Sequence, residues 1–306
     1  MKLYVIGNGF DLAHKIPSAY IDFKNYLEDV NVDFLNRFER QYYDLHTLWK
    51  DFESNLPRIF EDNIYDDGMA MGNQLREEHD YDSFTDDGLS YYLEDEYGFI
   101  NHLQILILAW VNSLNCIVEK VFPDDLFSDE DYYLVFNYTL TLERTYDVDP
   151  NKILHIHGST NTKHDGKPII GHARIDLIED ARAKFYDARN HFDSYSASSY
   201  QAIEKYYLAT LKETNLLLDL NKDFFSSRII GVDEIFILGC SISDTDKIYF
   251  SEILKVVGPE IVWNVSYYND IEMESHKMFL IELGVDTYRI NLFRFEELTK
   301  SKRQCL

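Results

Sequence analysis

Short apolar runs alternate along the chain with longer segments in which apolar residues recur every three or four positions. The short runs are typical of buried strands, and the longer segments have the spacing of amphipathic helices. Glycine, asparagine or proline marks several of the boundaries between them. Strands are predicted at residues 3–6, 132–136, 153–157, 233–238, 261–268 and 285–290, with 167–171 as a candidate edge strand.

The helical segments fall between these strands. They are predicted at residues 20–27, 32–49, 99–122, 138–146, 245–257 and 271–283, with about three more over 177–228. A repeated strand–turn–helix order predicts a parallel sheet with helices on its faces. We therefore predict an α/β fold with a Rossmann-like, mostly parallel sheet, as a single domain over residues 1–306. Two additions to that domain are predicted, an acidic insertion at about 61–98 and a helical subdomain at about 177–228.

The charge of the chain is strongly negative. It has 54 acidic and 29 basic side chains, a net charge of −25. Contact with nucleic acid phosphates normally requires a basic face, so nucleic acid is not an expected partner. Residues 61–96 contain 13 acidic side chains and one basic side chain, Arg76. Such a composition resists burial and favours a solvated insertion, with a docking surface or regulatory lid as the alternative.

Several features argue for an intracellular protein. No apolar run reaches the roughly 20 residues that span a bilayer, and the nearest, residues 100–121, is interrupted by polar side chains. We expect no signal peptide, because the first predicted strand begins beside Met1. Cys116, Cys240 and Cys305 lack metal-type spacing, and their low number suits a reducing compartment. The predicted location is therefore the cytoplasm, with no membrane partner.

The opening segment carries the first candidate site. The first strand stops at Gly7-Asn8-Gly9, and a helix is predicted to follow through Phe10 and Asp11. A glycine turn between a strand and a helix leaves backbone N–H groups free for an anion such as a phosphate. Leu12 stands where the usual dinucleotide fingerprint has its third glycine. Asp11 can bind a ribose hydroxyl or cap the helix, and the sequence does not choose between these roles.

Three further motifs follow predicted strands in the same way. They are Asn137-Tyr138-Thr139, His155-Ile156-His157-Gly158-Ser159 and Gly239-Cys240-Ser241-Ile242-Ser243-Asp244. The carboxyl ends of parallel strands share one edge of the sheet, where the ligands of such folds bind. We therefore expect all four turns to converge on one ligand.

Two of these residues are candidates for catalysis. Asn137 can hold a ribose or a water, although it can also cap the helix predicted from Tyr138. His157 can serve as a general base, because imidazole exchanges protons near neutral pH, or it can be structural. His155 faces the same side of the strand and is the more structural candidate of the two. A zinc site from His155, His157 and His172 is not expected, because no carboxylate or cysteine falls at a supporting spacing.

The other candidates would bind the ligand without reacting. The predicted ligand-binding residues are Gly7, Asn8, Gly9, Phe10, Asp11, Gly158, Ser159, Gly239, Ser241 and Asp244. For Asp244, capping of the next helix is the simpler explanation. Trp49 and Glu53 are predicted to share one helix face, and Glu53 is taken as a surface carboxylate unless it reaches the pocket.

Together these motifs resemble the bacteriophage abortive infection AbiH family. The matching segments run in order along the chain and are residues 5–12, Trp49 with 51–53, 136–139 with Glu143, 155–158, and 237–244 with 249–250. AbiH proteins are in turn similar to sirtuin-like NAD-binding domains, which use an asparagine and a histidine in catalysis. By position, the resemblance implies that Asn137 is that asparagine and His157 is the base. Thr139 stands where those relatives usually have aspartate, and their zinc-ribbon cysteines are absent, so deacetylation is not implied.

The resemblance implies an antiphage effector that binds NAD and cleaves its nicotinamide–ribose bond. That cleavage passes through a cationic, oxocarbenium-like sugar and needs a held ribose, a desolvated pocket and a base. A phage protein as trigger and a second copy of the chain are the expected partners, and no metal is expected. The alternatives are a nucleotide-sensing module that engages a partner without turnover, and a nuclease, which the negative charge disfavours.

Overall fold

The strands predicted from the apolar runs form one six-stranded sheet. The computed structural model describes residues 1–78 and 86–299, so residues 79–85 of the predicted acidic insertion, and Cys305, lie outside the described residues. The strands are β1 (Lys2–Ile6), β2 (Tyr132–Val135), β3 (Ile153–His155), β4 (Glu234–Leu238), β5 (Val262–Tyr267) and β6 (Ile290–Arg294). Every pairing between neighbouring strands is parallel.

The strand order reverses in the middle of the sheet. The order is β3-β2-β1-β4-β5-β6, with Tyr4 of β1 in register with Tyr133 of β2 on one side and Phe236 of β4 on the other. This is the Rossmann order, and it confirms the predicted fold class, with a fully parallel sheet rather than a mostly parallel one. The reversal lies between β1 and β4, and in such sheets ligands bind outside the carboxyl ends of the strands at this point.

Both faces of the sheet are buried, which explains why the strands appear in the sequence as continuous apolar runs. Leu3 and Val5 point to one face, where they belong to a core cluster that includes Trp263. Tyr4 and Ile6 point to the other face and join a second cluster with residues such as Phe10 and Phe122. Because successive side chains of a strand point to opposite faces, β1 contributes residues to both hydrophobic cores.

Fourteen α-helices are described in residues 1–78 and 86–299. They are α1 (Asn8–Ala13), α2 (Tyr20–Val30), α3 (Val32–Glu39), α4 (Leu45–Lys50), α5 (Phe52–Asn55), α6 (Glu61–Glu78), α7 (Asp86–Tyr97), α8 (Leu103–Ser113), α9 (Thr141–Tyr146), α10 (Ile175–Asn190), α11 (Ser194–Ala209), α12 (Thr214–Leu220), α13 (Lys247–Val257) and α14 (Asp270–Leu283). Within the described part of the chain, none of these helices has both the length and the apolar character to span a bilayer.

The chain divides into two compact units. Unit 1 contains the sheet and comprises Met1–Ala19, Leu108–Ile169 and the chain from Glu213 onward, while unit 2 comprises Tyr20–Ile107 and Ile170–Lys212. Unit 2 is helical over its described residues and contains α6 and α7, the described parts of the predicted acidic insertion. There α6 packs closely on α11, where a Cβ at Gly68 would lie 2.0 Å from Ser199 Oγ.

The long helix predicted at 99–122 ends early, at Ser113. The residues that follow are not helical, and two backbone donors near the end of the predicted range bond to a side chain from elsewhere in the sequence. The Tyr146 hydroxyl accepts hydrogen bonds from Val121 N and Phe122 N, both at 3.0 Å. Tertiary contacts of this kind routinely override a local helical pattern.

Two predicted strands also differ from the structure. Residues 167–171 form no strand, although Ile169 N donates to His157 O at 2.8 Å. A strand was predicted at 285–290, but the observed strand, β6, begins at Ile290. The residues before it, Thr287–Arg289, form a turn of 3₁₀ helix.

The end of β1 lies directly against the turn that follows β4. Gly7 N donates to Leu238 O at 3.0 Å. A Cβ at Gly7 would lie 2.3 Å from the Cα of Cys240, a contact with backbone that no side-chain rotation relieves. Glycine is therefore required here by close approach of two main chains.

We expect Gly7→Ala to destabilise the protein by on the order of 3 kcal/mol, because the added methyl group must push two bonded main chains apart. The matched control is Gly88→Ala in α7, where the nearest atom to a new Cβ is Leu75 Cδ1 at 3.8 Å. That change should stabilise the helix by about 0.5–1 kcal/mol. Urea denaturation of both variants measures the difference, and equal midpoints would contradict the proposed close approach.

Candidate functional site

The turns after β1 and β4 are bonded to each other at the point where the strand order reverses. Gly9 N donates to Gly239 O at 2.7 Å, and Phe10 N donates to Gly7 O at 3.0 Å. Two of the amide groups that were expected to be free for an anion are thus already paired, and the partner of Gly9 N is the carbonyl of Gly239, whose backbone is left-handed (φ 59°). The Tyr268 hydroxyl, which follows β5, donates to Gly9 O at 2.8 Å and covers the same turn.

Asn8 and Phe10 are both engaged within the fold. The Asn8 side chain donates to Ser18 O at 2.9 Å and accepts from the Ser18 hydroxyl at 2.6 Å. Phe10 is buried and stacks on Phe122 with ring centroids 5.2 Å apart. These contacts fix α1 against unit 1, the unit to which it belongs.

Asp11 is a buried carboxyl group, with 1% of its surface exposed. The hydroxyls of Thr139 and Thr141 donate to its two oxygens, the second at 2.7 Å. It does not cap α1, whose N-cap residue is Gly7 without a side-chain bond, so the capping alternative is wrong. Burial raises the pKa of Asp11 to about 6, although the hydrogen bonds from Thr139, Thr141 and Asn137 favour the charged form.

Asn137 links the end of β2 to the opening turn. Its side-chain Nδ2 donates to Gly7 O at 3.1 Å, and the residue is 7% exposed. The capping alternative for Asn137 is wrong, because α9 begins at Thr141 and not at Tyr138. The side chain is therefore held at the sheet edge by the turn after β1.

His155 is buried at the end of β3 with an oxygen atom at each ring nitrogen. Nδ1 lies 2.9 Å from the backbone oxygen of Asn137, and Nε2 lies 2.8 Å from Oε1 of Glu143. Burial opposes protonation, but the hydrogen bond and the charge of Glu143 outweigh it, so the pKa of His155 is raised. These bonds agree with the interpretation of His155 as the more structural of the two histidines.

His157 is buried between two aromatic rings. Its ring centroid lies 5.2 Å from that of Phe136 and 5.7 Å from that of Tyr249. Its Nε2 lies 3.5 Å from Oδ1 of Asp246, which follows β4. Because β2 and β1 separate β3 from β4 in the sheet, this pair shows that loops from distant strands meet above the edge.

The other predicted binding residues divide into buried and exposed groups. Gly158 has φ 76°, and a Cβ there would lie 2.2 Å from Lys167 O, so the chain requires glycine at this position. Ser159 is buried and donates to Asp165 Oδ2 at 2.6 Å. Ser241 and Asp244 are exposed. Asp244 makes no side-chain cap; it begins a short 3₁₀ helix, and α13 starts at Lys247.

The contacts around the sheet edge form a closed circuit. Asn137 bonds Gly7, Gly9 bonds Gly239, and the turn that follows leads to Asp246, which faces His157. The circuit closes through the contact of the His157 ring with Phe136, the neighbour of Asn137. The structure therefore brings the catalytic candidates and three of the glycines together, while Ser241 and Asp244 lie at the surface.

Sequence reasoning missed two parts of this arrangement. From the sequence, Asp244 was chosen as the aspartate that precedes the next helix. In the structure the residue directly before α13 is Asp246, which carries the same side chain. Thr141 and Thr139 hold Asp11, so the threonine at 139 pairs with a carboxylate that the fold supplies from α1. A search for hydroxyl donors around the one aspartate beside the glycine turn would have suggested that pairing.

The histidines and cysteines form no metal centre in the described part of the chain, where no group of three or more potential ligands is placed to hold an ion. His172 belongs to unit 2, where its Nδ1 accepts from Arg174 N at 3.0 Å. Burial lowers the pKa of His172 to about 4, which keeps the ring neutral.

Glu53, also in unit 2, is not a surface carboxylate. Trp49 and Glu53 lie on separate helices, α4 and α5. Glu53 accepts from the Tyr20 hydroxyl at 2.8 Å and forms an ion pair with Lys212, whose side chain is fully buried. The prediction of a solvated side chain fails because its partner is more than a hundred residues away in the sequence.

Comparison with known proteins identifies one family. The family model described as Bacteriophage abortive infection AbiH matches residues 3–267, which includes all the residues of the circuit at the sheet edge. No curated protein matches the chain significantly.

The buried carboxyl of Asp11 predicts a specific pH dependence of stability. In the native state it keeps its proton up to about pH 6, whereas it ionises near 3.8 when unfolded. The native state therefore binds more protons between these values, and the stability that this group contributes falls as pH rises through the window. Asp11→Asn should remove that fall, which is worth roughly 3 kcal/mol.

Urea denaturation of wild type and Asp11→Asn between pH 4 and pH 7 measures this difference directly. The free energy of unfolding of the variant, relative to wild type, should increase with pH and level off above pH 6. Parallel curves for the two proteins would show that Asp11 ionises normally. Glu252→Gln, which replaces a carboxylate on α13 that is paired with Lys255, serves as the control.

Proposed function

The chain belongs to the bacteriophage abortive infection AbiH family, and from that premise we propose that it binds NAD and hydrolyses the nicotinamide–ribose bond. The observation that supports this proposal is the meeting of Asn137, His157 and the glycine turns at the carboxyl edge of a Rossmann-ordered sheet. That edge is where α/β folds of this order bind nucleotides. Loss of cellular NAD would stop phage growth together with the host cell.

In this proposal Asn137 holds the ribose or the attacking water. Its side-chain nitrogen is directed to Gly7 O, and its NH₂ group also bonds Asp11, which leaves the side-chain oxygen as an acceptor. A positioned acceptor of this kind can orient a hydroxyl or a water toward the sugar carbon. The bond between that carbon and the nicotinamide nitrogen breaks, and the bond to the water oxygen forms.

His157 accepts the proton that the water releases. The carboxylate of Asp246, 3.5 Å from Nε2, stabilises the imidazolium that forms. The rings of Phe136 and Tyr249 exclude water from the same space, which strengthens electrostatic interactions there. Asp246 is thus added to the two residues chosen from the sequence.

The diphosphate of NAD would bind at the turns after β1 and β4. Gly9 N is bonded to Gly239 O, so backbone contacts to a diphosphate require these turns to separate. Ser241 and Asp244, on the exposed part of the second turn, are then available to the nucleotide. An enzyme that holds its turns closed until a phage protein or a second copy of the chain binds would spare the uninfected cell.

We expect purified protein, or protein with phage lysate as trigger, to release nicotinamide from NAD. Asn137→Ala and His157→Ala should each lower that rate by on the order of 100-fold or more, because each removes a group that acts in the transition state. His191→Gln in unit 2, which changes an exposed imidazole that faces Asp187, is the matched control and should keep full activity. Nicotinamide is measured by chromatography, with circular dichroism to check folding.

Three results would overturn the proposal. Full activity in both variants would reject the assigned residues. A thermal shift with NAD and no nicotinamide release, with or without lysate, would favour a nucleotide sensor. Cleavage of phage DNA or host tRNA with NAD intact would favour the nuclease.

A further inference from the structure

The two hydrogen bonds of His155 determine where its protons lie. A backbone carbonyl can only accept, so the contact of 2.9 Å with Asn137 O requires a proton on Nδ1. An ionised Glu143 can also only accept, so its contact of 2.8 Å requires a proton on Nε2. With both protons in place the ring is an imidazolium.

Glu143 depends on that second proton. Among the described residues, His155 is its one hydrogen-bond donor, and its other oxygen, Oε2, is buried without a partner. A carboxylate oxygen that is buried without a hydrogen bond is costly unless a charged partner lies close to the group. The histidine and the glutamate therefore form one ion pair beneath the sheet edge, tied to the backbone of Asn137.

Other charged groups around His155 act in the same direction. Asp11 of α1 and Asp165 of the loop after β3 both interact with it electrostatically. The charges of three carboxyl groups from three parts of the chain thus favour the protonated ring. Together they oppose the burial that would otherwise favour the neutral ring.

We propose that His155 is a positioning residue that is held as an imidazolium by Glu143 and fixes the main chain of Asn137 for the reaction. This inference rests on the proposed hydrolysis of NAD, because it assigns His155 a role through Asn137. The side chain of Asn137 is held by Gly7 and its backbone by His155, so each bond restricts the position of the residue. Glu143 acts one step further away, through its hydrogen bond to His155.

The protonation state can be measured directly, without any substrate. In ¹⁵N-labelled protein, imidazole nitrogen correlations, assigned with His155→Gln, should show both nitrogens of His155 protonated at pH 7.5. In Glu143→Gln the same ring should become neutral at that pH. A neutral wild-type ring, or one unchanged by Glu143→Gln, would overturn the proposal whether or not NAD is cleaved.

The role in catalysis is tested by the pH profile of NAD hydrolysis. The activity should be lost as pH rises through the raised pKa of His155, since the neutral ring keeps its one proton on Nε2, beside the Glu143 carboxylate, and Asn137 O then loses its donor. Glu143→Gln should move this alkaline loss to lower pH. His155→Gln should lower kcat on the order of 100-fold, with KM nearly unchanged, because misplacement by about 1 Å has that effect on a reacting geometry.

Two comparisons separate the possible failures. If wild type releases no nicotinamide, the proposed function fails, and the imidazole spectra still decide the state of His155. If wild type is active but the alkaline limb of Glu143→Gln does not move, His155 is only structural and this inference fails alone. Glu252→Gln and His191→Gln, both away from these contacts, should leave the profile and the spectra unchanged.

Discussion

The contact between two main chains at Gly7 and Cys240 is the constraint on which the sheet edge depends. It brings the turn after β1 within hydrogen-bond distance of the turn after β4, and Gly9 and Gly239 complete it with a bond of 2.7 Å. Asn137 reaches Gly7 O only because that carbonyl is fixed there. The same constraint sets the position of Asp246 relative to His157, because both belong to loops anchored at this edge.

The polar side chains of Asp11 and His155 are buried beneath this edge, and each has partners that compensate for the loss of water. Asp11 has two threonine hydroxyls, and His155 has a carbonyl and a carboxylate. Such networks are costly if one member is removed, because the others are left buried and unsatisfied. Their presence at the carboxyl ends of the strands, rather than in the apolar cores, is typical of functional sites in α/β proteins.

The sequence predicted the strands well and the contacts between loops poorly. β1 and β4 are apolar on both faces, and a short continuous apolar run of this kind is typical of a buried strand. The end of α8 at Ser113 is not marked in the apolar pattern, which continues to Phe122, where the backbone donors of Val121 and Phe122 bond the Tyr146 hydroxyl. The convergence of the strand-end motifs follows from parallel pairing, whereas the choice of Asp246 over Asp244 depends on where α13 begins. Glu53 was misjudged for the same reason, since no local pattern reveals Lys212.

The central position of β1 has a consequence for synthesis of the protein. Lys2–Ile6 is synthesised before both of its partners, which are Tyr132–Val135 on one side and Glu234–Leu238 on the other. This strand therefore stays unpaired along one edge until the chain has been translated as far as Leu238. Pairings so distant in sequence slow folding. The apolar side chains of β1 stay exposed until the pairing forms. Completion of the sheet is therefore coupled to translation, because β1 cannot complete its pairing before β4 has been synthesised.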